Sequence, residues 1–507
     1  MHDLSTLAAL GTANLERVIA IDSQSREASG TIPSSDGQVR LAEELARFFG
    51  ELGCSSRRDA NANLIVSIPG SPGCEALPPL ALMVHMDTAE GTSAVPRLQV
   101  VPGWDGRLVD YPANDRLHVS VEDYPELLPY VGEDLLHGPG LAPVGLDDKL
   151  GMAQLMTLAQ VLADDRALPH GPLLLVFRPD EEIGRMEAVV GLAAELAAEG
   201  VRHGYTVDGL DRFEVNVENF NAARARVRFQ GRPLAMQLPT LTVRVDGVKS
   251  HGATAKAEGY RNATVIVARA LAALEDAVAV PIAWVQSPAA EVDATVTFAV
   301  TPDSRGVLLE ALAAEIAPHA RRGAAATVVE ERPVARITAD DGLRRALAHV
   351  AAFLGEARVT PVLSEHSTGH QGYTNPYAVV HRGGWIVEYR IRDFTPEGLA
   401  ARIADVRALA RDVDVEHQYV NMGPALAPHP ELVAWAEAAA QAVGERIVRQ
   451  PIRGGTGVDP FLAVGIPVAN LGTGYFAPES EKELTSRQSL ARHVRWLTAL
   501  VRVVAGR

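Results

Sequence analysis

At 507 residues the chain exceeds what one hydrophobic core can organise, so two or three domains are expected. Its 47% hydrophobic and 22% charged residues are an ordinary balance for a soluble globular protein, and no apolar run approaches the roughly 18 residues of a membrane span. A net charge of -16 argues against nucleic acid or an anionic membrane as partner, since either would repel it, and suits a site that holds cations.

The chain opens on MHDLSTLAALGTANLERV, which lacks a basic leader followed by an apolar core, so no secretory signal is expected and the cytoplasm is the expected location. Cys54 and Cys74 form neither a disulfide framework nor a ligand spacing. Residues 39–52 place Val39, Leu41, Leu45, Phe48, Phe49 and Leu52 at the spacing of an amphipathic helix. Residues 63–68 (NLIVSI) read as a strand closed by Pro69-Gly70, and residues 80–84 as a second that runs directly into His85-Met86-Asp87. Residues 91–140, with Pro, Gly and Asp throughout, read as a long functional loop. Asp147 and Asp148 then open a helix reaching about Asp164. Residues 173–177 (LLLVF) form a short buried strand that breaks at Pro179 into Asp180, Glu181 and Glu182. A helix over 186–199 and a strand over 204–207, ending in Asp208-Gly209, complete the alternation of an α/β sheet covered on both faces.

Three adjacent carboxylates repel one another, so Asp180-Glu181-Glu182 needs either solvation on a loop or a divalent cation that takes one carboxylate and leaves its neighbour free as a base. The other strand ends weigh on that choice. His85 and Asp87, the acidic triplet and Asp208 all follow strands, and Asp147 begins a helix. If the strands are parallel, these groups meet on the rim where open α/β sheets bind ligands, and a binuclear metal site becomes the better account.

The middle of the chain changes style. Residues 241–245 alternate until Ser250-His251-Gly252, and residues 261–275 are helical. Residues 293–331 read strand, Thr301-Pro302, helix, strand, and residues 386–420 read strand, Thr395-Pro396, helix, strand, so one strand–helix–strand unit is expected to occur twice. After Tyr419 the α/β style returns, with a helix over 430–443, a glycine-rich stretch, an acidic segment and a closing helix from about Ser489 to Val504. The expected organisation is a metal-binding catalytic domain of residues 1–221 and 422–507, built on a mostly parallel sheet flanked by helices, with an α+β lid or dimerisation domain of residues 222–421 inserted. Lysine stands only at Lys149, Lys249, Lys256 and Lys482 among 47 basic residues, and all four fall in segments that carry candidate chemistry.

HMDTAEG from His85, GLDDKLG from Gly145, RPDEEIG from Arg178, TVDG from Thr206, ENFNAA from Glu218, SHGATAK from Ser250, IRDF from Ile391 and IRGGT from Ile452 resemble, in order and spacing, motifs of the di-zinc aminoacylase/carboxypeptidase metallopeptidase family, in its peptidase T (tripeptide aminopeptidase) branch. Each motif alone is weak, and eight in order are specific. The resemblance implies that His85 and Asp208 hold one metal, that Asp147 bridges to a second, and that Glu182 holds the second. Asp87 would fix the His85 imidazole. Glu181 would be the general base for a metal-activated water, and His251 would stabilise the tetrahedral oxyanion. Arg392 and Arg453 are candidates for gripping a substrate carboxylate. The cofactors implied are two divalent ions, zinc first, with manganese or cobalt as alternatives.

Two departures stand out. The family's last ligand is a histidine four residues before a Glu. In GTGYFAPESEKELTS, matching Glu483-Leu484 to that Glu and its follower puts Glu479 in the histidine's place, and the nearest downstream histidine, His493, lies in the closing helix. Three readings stay open. Glu479 replaces the imidazole and makes an oxygen-rich site suited to a harder ion such as manganese; Glu481 or a remote histidine serves instead; or the second metal is weak and the chain is not an active peptidase. The first is preferred because the other ligand candidates and Glu181 are all present. The inserted region is also longer than the resemblance implies, so a monomer whose extra unit fills a partner's place and a homodimer are both open. The function expected is hydrolysis of an amide bond in small peptides. The alternatives are an amidohydrolase of N-acyl or N-carbamoyl amino acids and a non-catalytic small-peptide-binding protein.

Overall fold

Four parallel strands at the centre of an eight-stranded sheet set the frame: in spatial order Leu173–Arg178, Leu80–His85, His203–Gly209 and Val468–Gly472. The computed structural model describes residues 2–249, 255–274, 277–286, 291–356 and 361–506. LLLVFR and LALMVH are buried at every position, as parallel strands covered on both faces must be. Leu80 pairs with Leu173 and His85 with Arg178, so these two strands end level and His85 emerges beside the turn that carries the acidic triplet. Antiparallel strands Leu64–Ile68 and Ser55–Arg58 extend one side of the sheet. Glu214–Asn216 and Val448–Arg449 extend the other.

The helix Leu146–Asp164 is buried along almost its whole length, packed against Leu4–Ile19 and Arg487–Val504 and over the central strands. Leu4–Ile19 is a helix capped by Asp3, whose carboxylate accepts from the Thr6 N–H at 2.7 Å. Asp36–Glu51 turns Leu41, Leu45, Phe48 and Phe49 inward, and Phe49 meets Phe177 of the sheet at 5.4 Å between ring centroids.

The stretch 91–140, expected as an irregular loop, is more ordered than that. Gln99–Val101 pairs with Leu135–His137, which pairs with Leu484–Ser486 in a small antiparallel sheet, and Tyr111 is buried with its hydroxyl donating to the Lys482 carbonyl at 2.9 Å. The partner strand lies more than three hundred residues away, as the Tyr111–Lys482 separation of 371 shows, so local patterning does not reveal it. Among the described residues no helix is long and apolar enough to cross a membrane.

The chain divides into two compact units. One is Met1–Asp115, Val119–Asn219 and Asn421–Arg507; the other is Arg116–His118 with Phe220–Val420. The second unit holds two four-stranded antiparallel sheets. One runs Ala279–Val285, Ala294–Val300, Pro233–Asp246, Ala325–Asp340; the other runs Tyr373–His381, Trp385–Asp393, Asn221–Phe229, Val413–His417. In each, a helix that begins after a Thr-Pro start joins an inner strand to an edge strand: Pro302–Ile316 in the first and Pro396–Leu409 in the second. Val243, Val296, Phe298, Val387, Tyr389 and Ile391 share one core with the helix residues Ile266, Leu308 and Leu347.

His493, the downstream histidine weighed as a remote ligand, is a core residue of the closing helix. Its Nε2 receives the Phe213 N–H at 3.2 Å, which places the ring proton on Nδ1, where it donates to the Ser489 carbonyl at 2.8 Å. Both nitrogens are therefore engaged, and the ring stacks on Phe213 at 4.8 Å. Burial pushes its pKa down to about 3. The folded state thus holds His493 neutral while the unfolded imidazole protonates near its usual value of about 6.5, so this group favours folding fully above that pH and increasingly opposes it as the pH falls toward about 3. His493→Ala should cost about 2–4 kcal/mol at pH 7.5 through lost packing. Wild type should lose about 1.4 kcal/mol more than the variant between pH 7.5 and 5.5, as urea unfolding at the two pH values would measure.

Candidate metal centre

The acidic turn after Leu173–Arg178 is held from two sides. Asp180 adopts φ 55°, a left-handed conformation that Asp tolerates better than most residues. Its carboxylate accepts from the Ser34 N–H at 2.8 Å, the Ser34 hydroxyl at 2.5 Å and Gln38 Nε2 at 2.7 Å, while its own N–H donates to Gln38 Oε1 at 3.0 Å. Asp180 is thereby an anchor. The next two N–H groups donate to the fully buried Asp87 carboxylate, Glu181 to Oδ1 at 2.9 Å and Glu182 to Oδ2 at 3.0 Å. The Glu182 side chain in turn accepts the Ala89 N–H on Oε1 at 3.0 Å.

His85 Nδ1 donates to the Asp87 carbonyl at 2.8 Å, leaving Nε2 to face Asp147 Oδ1 at 2.9 Å and Asp208 Oδ1 at 3.5 Å. The expected hold of the Asp87 carboxylate on the imidazole is a longer approach of 3.5 Å; its main partners are the two turn amides. Ligand atoms of His85, Asp147 and Asp208 lie within 4.8 Å of one another, and so do those of Asp147, Glu182 and Glu479. Asp147 belongs to both groups. Asp148, joined to Asp147 by a cis peptide, accepts the His85 N–H at 3.1 Å and ties the strand end to the helix start.

Several neighbours that sequence reasoning passed over hold this arrangement. Tyr475 donates its hydroxyl to Asp147 Oδ2 at 2.9 Å. Glu483 accepts the Glu479 N–H on Oε1 at 2.9 Å and the Val144 and Gly145 N–H groups on Oε2 at 2.8 and 2.9 Å, so one carboxylate joins the loop that carries Glu479 to the loop that leads to Asp147. Arg178 is buried, donates to the carbonyls of Thr456 and Gly457 at 2.7 and 2.6 Å, and stands 3.8 Å from Glu181 Oε1. Gly457 has φ 56°, and a Cβ there would lie 2.1 Å from Arg178 Nη1 and 2.9 Å from Glu181 Oε1, so any other residue would be strained and would displace the Arg178 or Glu181 side chain. The only advance signal for these residues was their place inside quoted motifs: Arg178 before the acidic triplet, and Glu483 as the residue matched to the family's Glu.

The electrostatics show why such a cluster needs compensation. Burial raises the Glu182 carboxyl well above its ordinary range, with Glu479 and then Asp147 adding to it. Burial likewise lifts Asp208 to about 7, although His85 opposes the rise. Glu181 is raised by burial and pulled back by Arg178. Burial would depress His85, but Asp208 and Asp147 hold its pKa well above the usual imidazole value. Carboxylates in these surroundings either keep protons or share a cation.

Residues 119–503 match the model of Peptidase family M20/M25/M40. The chain belongs to peptidase family M20/M25/M40. It is 37% identical over 222 residues to Peptidase T of Desulfitobacterium hafniense (strain Y51), a match covering 43% of this chain and 52% of that one, so the chain spans about half the length of that relative. To Peptidase T of Aeromonas hydrophila subsp. hydrophila it is 27% identical over 505 residues, covering 96% and 97% of the two chains. Among solved structures its fold is similar to aminopeptidase PepT from Bacillus cereus ATCC 10987, with a TM-score of 0.52 and 15% identity over 98% and 99% of the chains.

In this M20/M25/M40 member the remaining candidates are placed as follows. Glu481 is buried and joins neither ligand group among the described residues. Arg392 lies in the second unit on Trp385–Asp393, where its guanidinium donates to the carbonyls of Ala223 and Ile391 at 3.3 and 3.0 Å and sits over the Tyr419 ring. Arg453 is half-buried in the first unit, in the stretch whose Thr456 and Gly457 carbonyls receive Arg178. His251 lies outside the described residues. The Glu483 bridge is open to a direct test. Glu483→Gln keeps the shape but turns an amide NH2 toward backbone donors, and it should lower unfolding stability by about 1–3 kcal/mol, measured by chemical denaturation of the metal-free protein.

Proposed function

We propose that this M20/M25/M40 member is a two-metal aminopeptidase that hydrolyses an amide bond in small peptides, tripeptides first. The observation that carries the reading is the pair of ligand groups joined at Asp147, with Glu181 beside them and in neither. The donor set fits such ions. Asp147, Asp208, Glu182 and Glu479 bring four negative charges when ionised, which two divalent cations neutralise, and His85 adds a neutral nitrogen. In this reading His85, Asp208 and Asp147 would hold one ion and Asp147, Glu182 and Glu479 the other. With one imidazole among its ligands the centre is rich in oxygen, which favours manganese alongside zinc more than a centre with two imidazoles would. Bound divalent ions supply positive charge that polarises a carbonyl and acidifies a water molecule.

The chain's own residues account for the rest. Glu181 takes the proton of the attacking water and delivers it to the leaving amine nitrogen, and burial suits it to that exchange by raising its proton affinity. Asp87 aims Glu181 and Glu182 in different directions by holding their successive N–H groups, and Tyr475 orients Asp147. His251 is assigned the oxyanion and Arg392 and Arg453 the substrate carboxylate, on the motif resemblance. The second unit is read as a lid in which a strand–helix–strand unit was duplicated, its two sheets sharing one strand order and one helix placement. The Peptidase T name of relatives matched over most of the chain supports peptides as substrates, and the cytoplasm remains the location proposed.

A release assay with tripeptides, dipeptides and N-acyl amino acids, with zinc, manganese and cobalt each supplied, tests the reading. Amino-terminal residues should be released from tripeptides, and Glu181→Gln should lower turnover by at least about 100-fold while its metal content stays intact. Preferential cleavage of N-acyl amino acids would reassign the enzyme as an amidohydrolase, and tight peptide binding without turnover would make it a binding protein. Glu479→Ala should lower metal content and activity together; unchanged metal stoichiometry would remove Glu479 from the ligand set.

A further inference from the structure

A second set of metal-type ligands lies in the first unit, apart from the centre described above. His203 begins the strand His203–Gly209, His429 precedes the helix Glu431–Ala442, and Glu431 is that helix's first residue. His203 Nε2 and His429 Nδ1 approach the same oxygen, Glu431 Oε1, at 3.0 and 3.1 Å, and the three ligand atoms lie within 4.8 Å of one another. We propose that His203, His429 and Glu431 form a further divalent-metal site, suited to zinc or nickel.

Around a tetrahedral zinc with bonds near 2.0–2.1 Å, ligand atoms sit about 3.3 Å apart, so each imidazole nitrogen need move only a few tenths of an ångström from the Glu431 oxygen to admit the ion. Two imidazoles and one carboxylate are a donor set for zinc, copper or nickel, whereas calcium and magnesium take oxygen ligands. Side-chain exposures of 27%, 36% and 34% leave room for water at the remaining positions. The ligands are also held in place by contacts that none of them makes through its coordinating atom. The Trp435 ring, one turn along the helix from Glu431, meets the His203 ring edge-on at 5.0 Å. Tyr205 donates its hydroxyl to the Leu432 carbonyl at 2.7 Å, fixing the helix against the strand, and Trp496 of the closing helix donates to the Ala436 carbonyl at 2.9 Å.

The site shares no ligand with the catalytic centre. His203 and Asp208 stand at opposite ends of one strand, five residues or roughly 16 Å apart. An ion here would join segments separated by 228 residues, on either side of the stretch that forms the second unit, and so act as a cross-link within the first. The proposal does not rest on the aminopeptidase reading.

Trp435 supplies a local reporter. The full-length protein, stripped of metal, is titrated with nickel ions while tryptophan emission is followed. A quenching phase should appear that is lost in Trp435→Phe and that needs at least tenfold more nickel in His429→Ala and in Glu431→Gln. It should persist in Asp147→Ala, which removes the carboxylate common to the two catalytic ligand groups, so failure of this site and failure of the catalytic reading give different results. Zinc content at saturation should fall by one equivalent in His429→Ala, with peptide turnover unchanged. Absence of the Trp435 phase, or a nickel midpoint that neither His429→Ala nor Glu431→Gln moves, would show that the three side chains form a hydrogen-bonded cluster only.

Discussion

The rim of the sheet depends on one buried carboxylate and the backbone groups it holds. Asp87 is fully buried and receives the N–H groups of Glu181 and Glu182 on its two oxygens, while its carbonyl accepts from the His85 ring. Without it, two adjacent acids at a strand end would relax away from each other and from the imidazole. With it, they are held at a fixed angle as backbone neighbours. The triplet divides accordingly: Asp180 anchors the turn to Ser34 and Gln38, and Glu182 joins the group with Asp147 and Glu479.

The second constraint is level registration. Because Leu80–His85 and Leu173–Arg178 run parallel and end opposite each other, His85 and the acidic turn arrive at one height. Asp208 closes the adjacent parallel strand, and Tyr475 follows the next. Asp147 and Asp148, expected to open a helix, have non-helical backbone angles just ahead of the long helical run to Asp164, which is buried on nearly all sides and fixes the end of the chain that carries them. Convergence of side chains from four distant segments is then a property of the sheet, and the loops supply only the last few ångströms.

The legible and the hidden parts of this protein divide along physical lines. Leu80–His85 and Leu173–Arg178 were plain because strands buried on both faces read as unbroken apolar runs, and the chemistry sits directly at their ends. Asn221–Phe229 was not foreseen: Arg224, Arg226 and Arg228 alternate with Ala225, Val227 and Phe229 as on a strand with one polar face, but its alanines and arginines carry little strand preference of their own. The small sheet formed by Gln99–Val101, Leu135–His137 and Leu484–Ser486 is a long-range pairing with no local signature. Tyr475 and Gly457 matter through a single hydroxyl and a missing Cβ, and neither produces a pattern along a sequence. His493, by contrast, could be weighed as a ligand only until its two nitrogens were found engaged in the core.

The Glu483 bridge separates two properties that usually travel together. The backbone of Glu479 is positioned by its own N–H on the Glu483 carboxylate, and that same carboxylate grips the approach to Asp147. The path of this loop is therefore held in part by a contact that does not involve the side chain at 479. A position whose main chain is held from elsewhere can exchange one side chain for another with little rebuilding of its surroundings.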